Sequence, residues 1–161
     1  MQSFLAVFAR GIGMLELILG LFLASVASGF VPFVNAEILV AGASLALPEA
    51  GVPLIALIST LGQMVSKTAL FGLARWAPAK LSGKASNALE RATESLKQHR
   101  GSTWGLIFIS AITGLPPFYG TSLAAGAVKV PVQIFITAGS LGRLLRFGLI
   151  AWFGYTAVDF L

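Results

Sequence analysis

Apolar residues fill long blocks of the chain, and one hydrophilic stretch, residues 79–103, interrupts them. The first block runs from about residue 4 to 27, with an uncharged centre from Leu17 to Ala27. It predicts a transmembrane helix over residues 1–28. Arg10 before it and Ala24-Ser25-Val26-Ala27 at its end would also suit a cleaved signal peptide. Glu16 inside the run and the apolar character of everything downstream favour a retained helix. The second block, residues 29–47, suits a straight span poorly. Pro32 and Pro48 bracket it, and Asn35, Glu37 and Gly42 lie inside. Proline removes a backbone donor and glycine weakens a helix. Interrupted backbone at membrane depth is stable only where protein or a water-filled cavity surrounds it. The pattern therefore predicts a re-entrant hairpin over residues 29–50.

Residues 52–76 form an apolar run that, at about 37 Å as a helix, is long enough to span. Ser59, Gln63, Ser66 and Lys67 fall at i, i+4, i+7 and i+8 and so share one face. Arg75 and Trp76 mark an interfacial end. Pro78 stops this helix, and residues 77–103 predict a cytoplasmic connector. Within it Asn87 and Glu90 suit a capping box, and Ala85, Ala88, Leu89, Ala92 and Leu96 make a narrow apolar stripe, the pattern of an amphipathic surface helix. Residues 104–128 are broken again, at Gly114, Pro116, Pro117 and Gly120, and predict a second re-entrant hairpin. A last transmembrane helix over 131–157 opens on Pro131. It places Gln133, Thr137 and Ser140 on one face, with Arg143 and Arg146 following round it.

Composition makes the bilayer the solvent. Hydrophobic residues are 57% of the 161 and charged residues 11%, against about 25% charged in soluble domains. A single core of this size could not hide so much apolar surface. The net charge of +5 does not point to nucleic acid. Lys80, Lys84, Arg91, Lys97 and Arg100 concentrate in the polar stretch, the positive-inside signature of a cytoplasmic loop. The absence of cysteine excludes disulfides, thiolate-bound metals and thiol catalysis. His99, the lone histidine, lies in the connector, and no metal-ligand spacing, nucleophile elbow or P-loop pattern appears. The expectation is a protein that is not an enzyme and needs no cofactor.

The two broken segments resemble each other. Pro32-Phe-Val-Asn-Ala-Glu-Ile-Leu-Val-Ala-Gly42 aligns with Pro116-Pro-Phe-Tyr-Gly-Thr-Ser-Leu-Ala-Ala-Gly126, sharing a proline, a leucine and an Ala-Gly end. Each is followed by Val-Pro (Val52-Pro53, Val130-Pro131) and then by Leu-Gly-polar in mid-helix (Leu61-Gly62-Gln63, Leu141-Gly142-Arg143). With the basic connector inside, the N-terminus falls inside and the C-terminus outside, and the two hairpins enter from opposite faces. The fold expected is an all-α integral membrane protein of one domain, residues 1–161. It is an inverted repeat of two re-entrant hairpins, each followed by a transmembrane helix, plus an N-terminal transmembrane helix. That is the architecture of secondary transporters, whose sites form near the midplane.

The Pro-Phe-x-x-x-Glu-x-x-x-Ala-Gly hairpin, and Pro-Pro-Phe-Tyr followed by Ala-Ala-Gly, Val-Pro and Leu-Gly-Arg, resemble the DedA family, also called the VTT or SNARE-associated family. The resemblance covers about residues 28–155. It implies a transporter or scramblase that moves a lipid or lipid-phosphate, such as a polyprenyl-phosphate or a phospholipid, in some members with proton coupling. It also implies a place in a membrane such as the bacterial inner membrane. The family's first-hairpin acid falls on Glu37. Its second-hairpin Arg-x-x-Pro-x-x-Arg falls on Thr113, Pro116 and Tyr119, so both arginines are missing here.

A charged side chain at the bilayer centre costs about 2.5–3.5 kcal/mol on the lenient insertion scale. The candidate substrate-binding residues are accordingly Glu37, Asn35, Arg143, Arg146, Lys67 and Gln63. Arginine forks suit a phosphate, and Glu37 is a candidate proton carrier. Glu37 can neutralise one of Arg143 and Arg146, with Lys67 competing for it, and Glu16 is expected to pair with Arg10. Glu37→Gln is expected to abolish transport without unfolding the protein, because a neutral amide is cheaper to bury than a carboxylate. The partners expected are lipids with phosphate headgroups and, because three spanning helices are few for a pathway, further copies of the chain. A membrane enzyme acting on polyprenyl-phosphate and a non-transporting scaffold are the alternatives.

Overall fold

The computed structural model describes residues 2–31, 36–46, 51–76, 94 and 103–158. Asn35 and, apart from the helical, exposed Glu94 and Thr103, the predicted connector lie outside the described residues. Among those residues there are helices and no strands: α1 (Gln2–Phe30), α2 (Ala36–Ala46), α3 (Gly51–Trp76), α4 (Thr103–Thr113), α5 (Phe118–Ala127) and α6 (Val132–Val158). Stretches of α1, α3 and α6 are long and apolar enough to cross a membrane: Gly13–Phe30, Gly51–Trp76 and Val132–Thr156. Over the described residues the protein is all-helical, with three candidate spans. The second broken segment breaks at Gly114, Pro116 and Pro117, between α4 and α5, whereas Gly120, expected as a further break, lies within α5. Gly114 adopts a positive φ of 78° there and the Leu115–Pro116 peptide is cis.

Side-chain contacts fix the direction in which the helices run. Gln63 and Lys67 of α3 bond Ser28 and Gly29 of α1, while Gly62 faces Phe22 and Ser25. Both numberings rise together, so α1 and α3 are parallel. The expected topology, with the first helix running opposite to residues 52–76, is corrected by these contacts. α4 and α6 are parallel in the same way: Trp104 meets Thr137, Ala111 meets Gly142 and Ile112 meets Arg146. α2 runs parallel to α6, through Glu37–Arg146 and Ser44–Gly154. α5 runs parallel to α3, through Tyr119–Lys67 and Gly126–Phe71. α3 and α6 run antiparallel, because Met64 meets Gly139 and Phe71 stacks on Phe135 at 4.6 Å.

Two of the three apolar clusters among the described residues bear on the polar groups. One joins Leu21 of α1, Val40 of α2, Ile55 of α3 and Phe147 of α6. The other joins Ile107 of α4, Phe118 of α5, Phe71 of α3 and Phe135 of α6. The stretches of α3 and α6 that carry Thr60, Gln63, Arg143 and Arg146 run between them, and Lys67 follows one turn on, between Met64 and Phe71 of the second cluster. Polar groups are therefore held in a layer between two apolar cores.

The turn from α5 to α6 sets the start of the last helix. Val130 N–H bonds Ala125 O and Lys129 N–H bonds Gly126 O, which is a Schellman motif. Lys129 takes the left-handed position, φ 59°, that favours glycine. Left-handed backbone costs a residue with a Cβ about 1–2 kcal/mol, and glycine returns part of that through unfolded-state entropy. Lys129→Gly is expected to stabilise the protein by about 0.5–1 kcal/mol, read as a rise in unfolding temperature in detergent.

Candidate functional site

The polar face of α3 is buried as its spacing predicts. Ser59, Gln63, Ser66 and Lys67 are each at most 5% exposed. Most of that face ties α3 to α1. Gln63 Nε2 donates to Ser28 Oγ at 2.7 Å, and Ser28 Oγ donates to Ser25 O. Lys67 Nζ donates to Gly29 O at 2.6 Å. Gly29 lies in the last turn of α1, where carbonyls have no helical partner. Lys67 is thus a cation on the negative end of α1, and of the cations that compete for Glu37 it is not the one that pairs with it.

Glu37 pairs with Arg146 instead. Arg146 Nε and Nη2 both reach Glu37 Oε1, at 2.9 and 2.7 Å, across 109 residues of sequence. Arg146 Nη1 also donates to Ile112 O in the last turn of α4. Arg146 therefore does for α4 what Lys67 does for α1. Both cations satisfy helix ends that a membrane interior would otherwise leave unpaired.

Among the described residues Arg143 makes no hydrogen bond or ion pair of either kind, and the Glu37 carboxylate, held by Arg146, acts on it only from a longer distance. It is 7% exposed, and its Nε makes no hydrogen bond. Its guanidinium carbon stands 4.8 Å over the Phe118 ring and 5.5 Å from that of Phe147. Cation–π contacts are worth about 0.5–2 kcal/mol, whereas burying an ion costs several. The rings do not offset that cost. Among the described residues the cations Arg143 and Arg146 in this polar layer, and Lys67 beside it, stand against the carboxylate of Glu37. The Thr60 hydroxyl and Gln63 Oε1 are also buried without a partner. Thr60 and Arg143 each lie one helical turn beyond the Met64–Gly139 contact, on the same side of it, because α3 and α6 run antiparallel.

Of the residues expected from sequence, Glu37, Arg146, Lys67, Gln63 and Arg143 come together around α3 and α6. Glu16 is exposed on α1. Sequence reading did not single out Phe118 and Tyr119 as site residues. The ring of Phe118 lies under Arg143, and Lys67 Nζ is 5.3 Å from the centre of the Tyr119 ring. The available signal was the Pro-Pro-Phe-Tyr run, which marked a helix break. Ser110 closes that break by donating to Pro116 O at 2.6 Å and bonding Thr121 Oγ1 at 2.8 Å.

Fold and site together define a helical membrane protein with an electropositive polar layer between two apolar clusters. No family model, curated protein or solved structure matches the chain.

Proposed function

We propose that the protein is a transporter or scramblase for lipids with a phosphate headgroup, which engage the polar layer between α3 and α6. The observation that carries this reading is Arg143, a buried guanidinium with no hydrogen bond at Nε and no carboxylate bound to it among the described residues. A phosphate supplies the missing negative charge and accepts a charge-assisted pair of hydrogen bonds. The resemblance to the DedA family agrees with such a substrate.

The order of helix contacts supports an inverted repeat, with α1–α2–α3 corresponding to α4–α5–α6. In each half the first helix packs parallel to the third, and the short second helix packs parallel to the third helix of the other half. Gly62 and Gly142, aligned by the sequence repeat, hold equivalent places. Gly62 faces Phe22 and Ser25, and Gly142 faces Phe108 and Ala111. In this reading the C-terminal part of α1 and α2 form the first hairpin, and α4 and α5 form the second. The descending arm of the first hairpin is then α1 itself rather than a segment after residue 28. Inverted repeats place substrate where broken helices meet, and here Arg143 lies beside that meeting.

The test is translocation of a fluorescent phosphate lipid in liposomes. Arg143→Ala is expected to lower the rate at least tenfold, and Arg143→Lys to lower it less, because lysine keeps the charge but loses the fork. Wild-type rates in Arg143→Ala would dismiss Arg143 as the contact.

A further inference from the structure

The two short helices begin in matching electrostatic settings that differ by one component. α2 carries Glu37 in its first turn, and Arg146 of α6 binds that carboxylate while donating to Ile112 O at the end of α4. α5 begins beside Lys67 of α3, which lies over the Tyr119 ring in the first turn of α5 while donating to Gly29 O at the end of α1. In both places a cation from a long helix caps the first helix of its own half and meets the short helix of the other half. At α2 a carboxylate completes the arrangement. The first turn of α5 holds no acid, and its N-cap is Pro117, with no side-chain cap. The N–H groups of Phe118, Tyr119 and Gly120 precede the first helical bond of this end, from Thr121 N–H to Pro117 O.

A second observation points to a ligand at the same end. Arg143 is 7% exposed, its Nε is unpartnered, and its guanidinium stands over the ring of Phe118, the first residue of α5. Side chains of a helix lean toward its N-terminus. The rings of Phe118 and Tyr119, and the cations over them, therefore lie toward the end from which the free N–H groups point.

We propose that a phosphate group sits at the N-terminus of α5, between Arg143 and Lys67, in the place that the Glu37 carboxylate takes at α2. This rests on the reading given under Proposed function and assigns the atoms that hold the headgroup. The N–H groups of Phe118, Tyr119 and Gly120 donate at the positive end of the helix dipole. Arg143 provides a planar fork and Lys67 a point charge. The tetrahedral array of oxygens on a phosphate can meet donors from these separate directions.

If an anion is what this end lacks, an internal carboxylate should replace it. Tyr119→Glu places one in the first turn of α5, as Glu37 is placed in α2. The full chain would be unfolded thermally in detergent with phosphatidic acid, inorganic phosphate or diacylglycerol. At about a hundredfold excess over Kd, phosphatidic acid should raise the wild-type unfolding temperature by about 5–10 °C, and diacylglycerol should not. A similar rise with inorganic phosphate would identify the free anion as sufficient, and a rise with phosphatidic acid alone would identify the lipid as the source. Tyr119→Glu should respond to neither, and Tyr119→Gln should keep most of the response. Lys67→Gln should bind phosphatidic acid about tenfold more weakly. A wild type that responds to no phosphate, or a Tyr119→Glu variant that responds like wild type, overturns the assignment. If Tyr119→Glu does not fold, unchanged affinity in Lys67→Gln overturns it. Ligand stabilisation without translocation in liposomes removes the transport reading and leaves the seat. Translocation in a protein whose Tyr119→Glu variant responds like wild type does the reverse.

Discussion

Glu37→Gln is expected to destabilise the protein by about 2–3 kcal/mol, so that a loss of the proposed transport in this variant will not be separable from loss of structure. Arg146 is the reason. Its guanidinium meets Glu37 Oε1 through both Nε and Nη2, and removing the carboxylate leaves a cation in an apolar setting with Ile112 O as its remaining acceptor among the described residues. Breaking one side of a fully buried pair costs about 3–5 kcal/mol. Here the side chains are 23% and 31% exposed, which places the cost below that range. This revises the expectation from sequence alone, in which the amide was simply cheaper to bury. A double-mutant cycle provides the check. Arg146→Met should be destabilising by itself, partly through the unpaired Ile112 carbonyl. The pair Glu37→Gln with Arg146→Met should lose about 1–3 kcal/mol less than the sum of the singles. Additive losses would show that the pair contributes nothing as a pair.

The second large effect is expected at the two aligned glycines, and it differs in sign from that at other glycines of the same helices. A Cβ at Gly62 would lie 2.7 Å from Phe22 O and 2.8 Å from Ser25 Cβ. A Cβ at Gly142 would lie 2.6 Å from Ala111 Cβ and 2.8 Å from Phe108 O. Carbonyl oxygens of a neighbouring helix cannot rotate away, so the helices must separate. Small residues that let backbones approach are the main packing device between helices in lipid. Gly62→Ala and Gly142→Ala should each cost about 1–3 kcal/mol. At Gly72 and Gly148 a Cβ would meet nothing within 4 Å, and alanine there should stabilise by up to about 1 kcal/mol through helix propensity. Thermal unfolding of the four single variants is the measurement. Equal losses at Gly62 and Gly142 would support the correspondence of the two halves, and a loss at only one would argue against it.

The site was partly legible for a simple reason. Charges are scarce in this chain, and those inside apolar blocks cost several kcal/mol unless something holds them. Glu37, Lys67, Arg143 and Arg146 could therefore be picked out with no structure at all. Their partners could not. Lys67 and Arg146 bond backbone carbonyls at helix ends, and every residue has a carbonyl, so no pattern of side chains announces these contacts. The Glu37–Arg146 pair joins helices 109 residues apart, and Lys67 was an equally good partner on paper. Gln63 shared its face with Lys67, yet its amide serves to hold Ser28 of α1.

Hydropathy and punctuation in the sequence determined what a bilayer selects for: the three long apolar stretches, their lengths, and the break at Gly114 to Pro117. Those features are local, since a run of apolar side chains sets span length and proline ends a helix whatever surrounds it. Tertiary structure alone decided which way the helices run against one another. The sequence pattern predicts a first helix that crosses opposite to α3, whereas α1 lies parallel to it with Gly29 level with Ser66 and Lys67. A helix reads as equally apolar in either direction, so hydropathy carries no sign. The direction is set by where small residues allow close approach, at Gly62 on Ser25 and Gly142 on Ala111, and by which cation reaches which helix end. Those contacts exist only once the helices are packed.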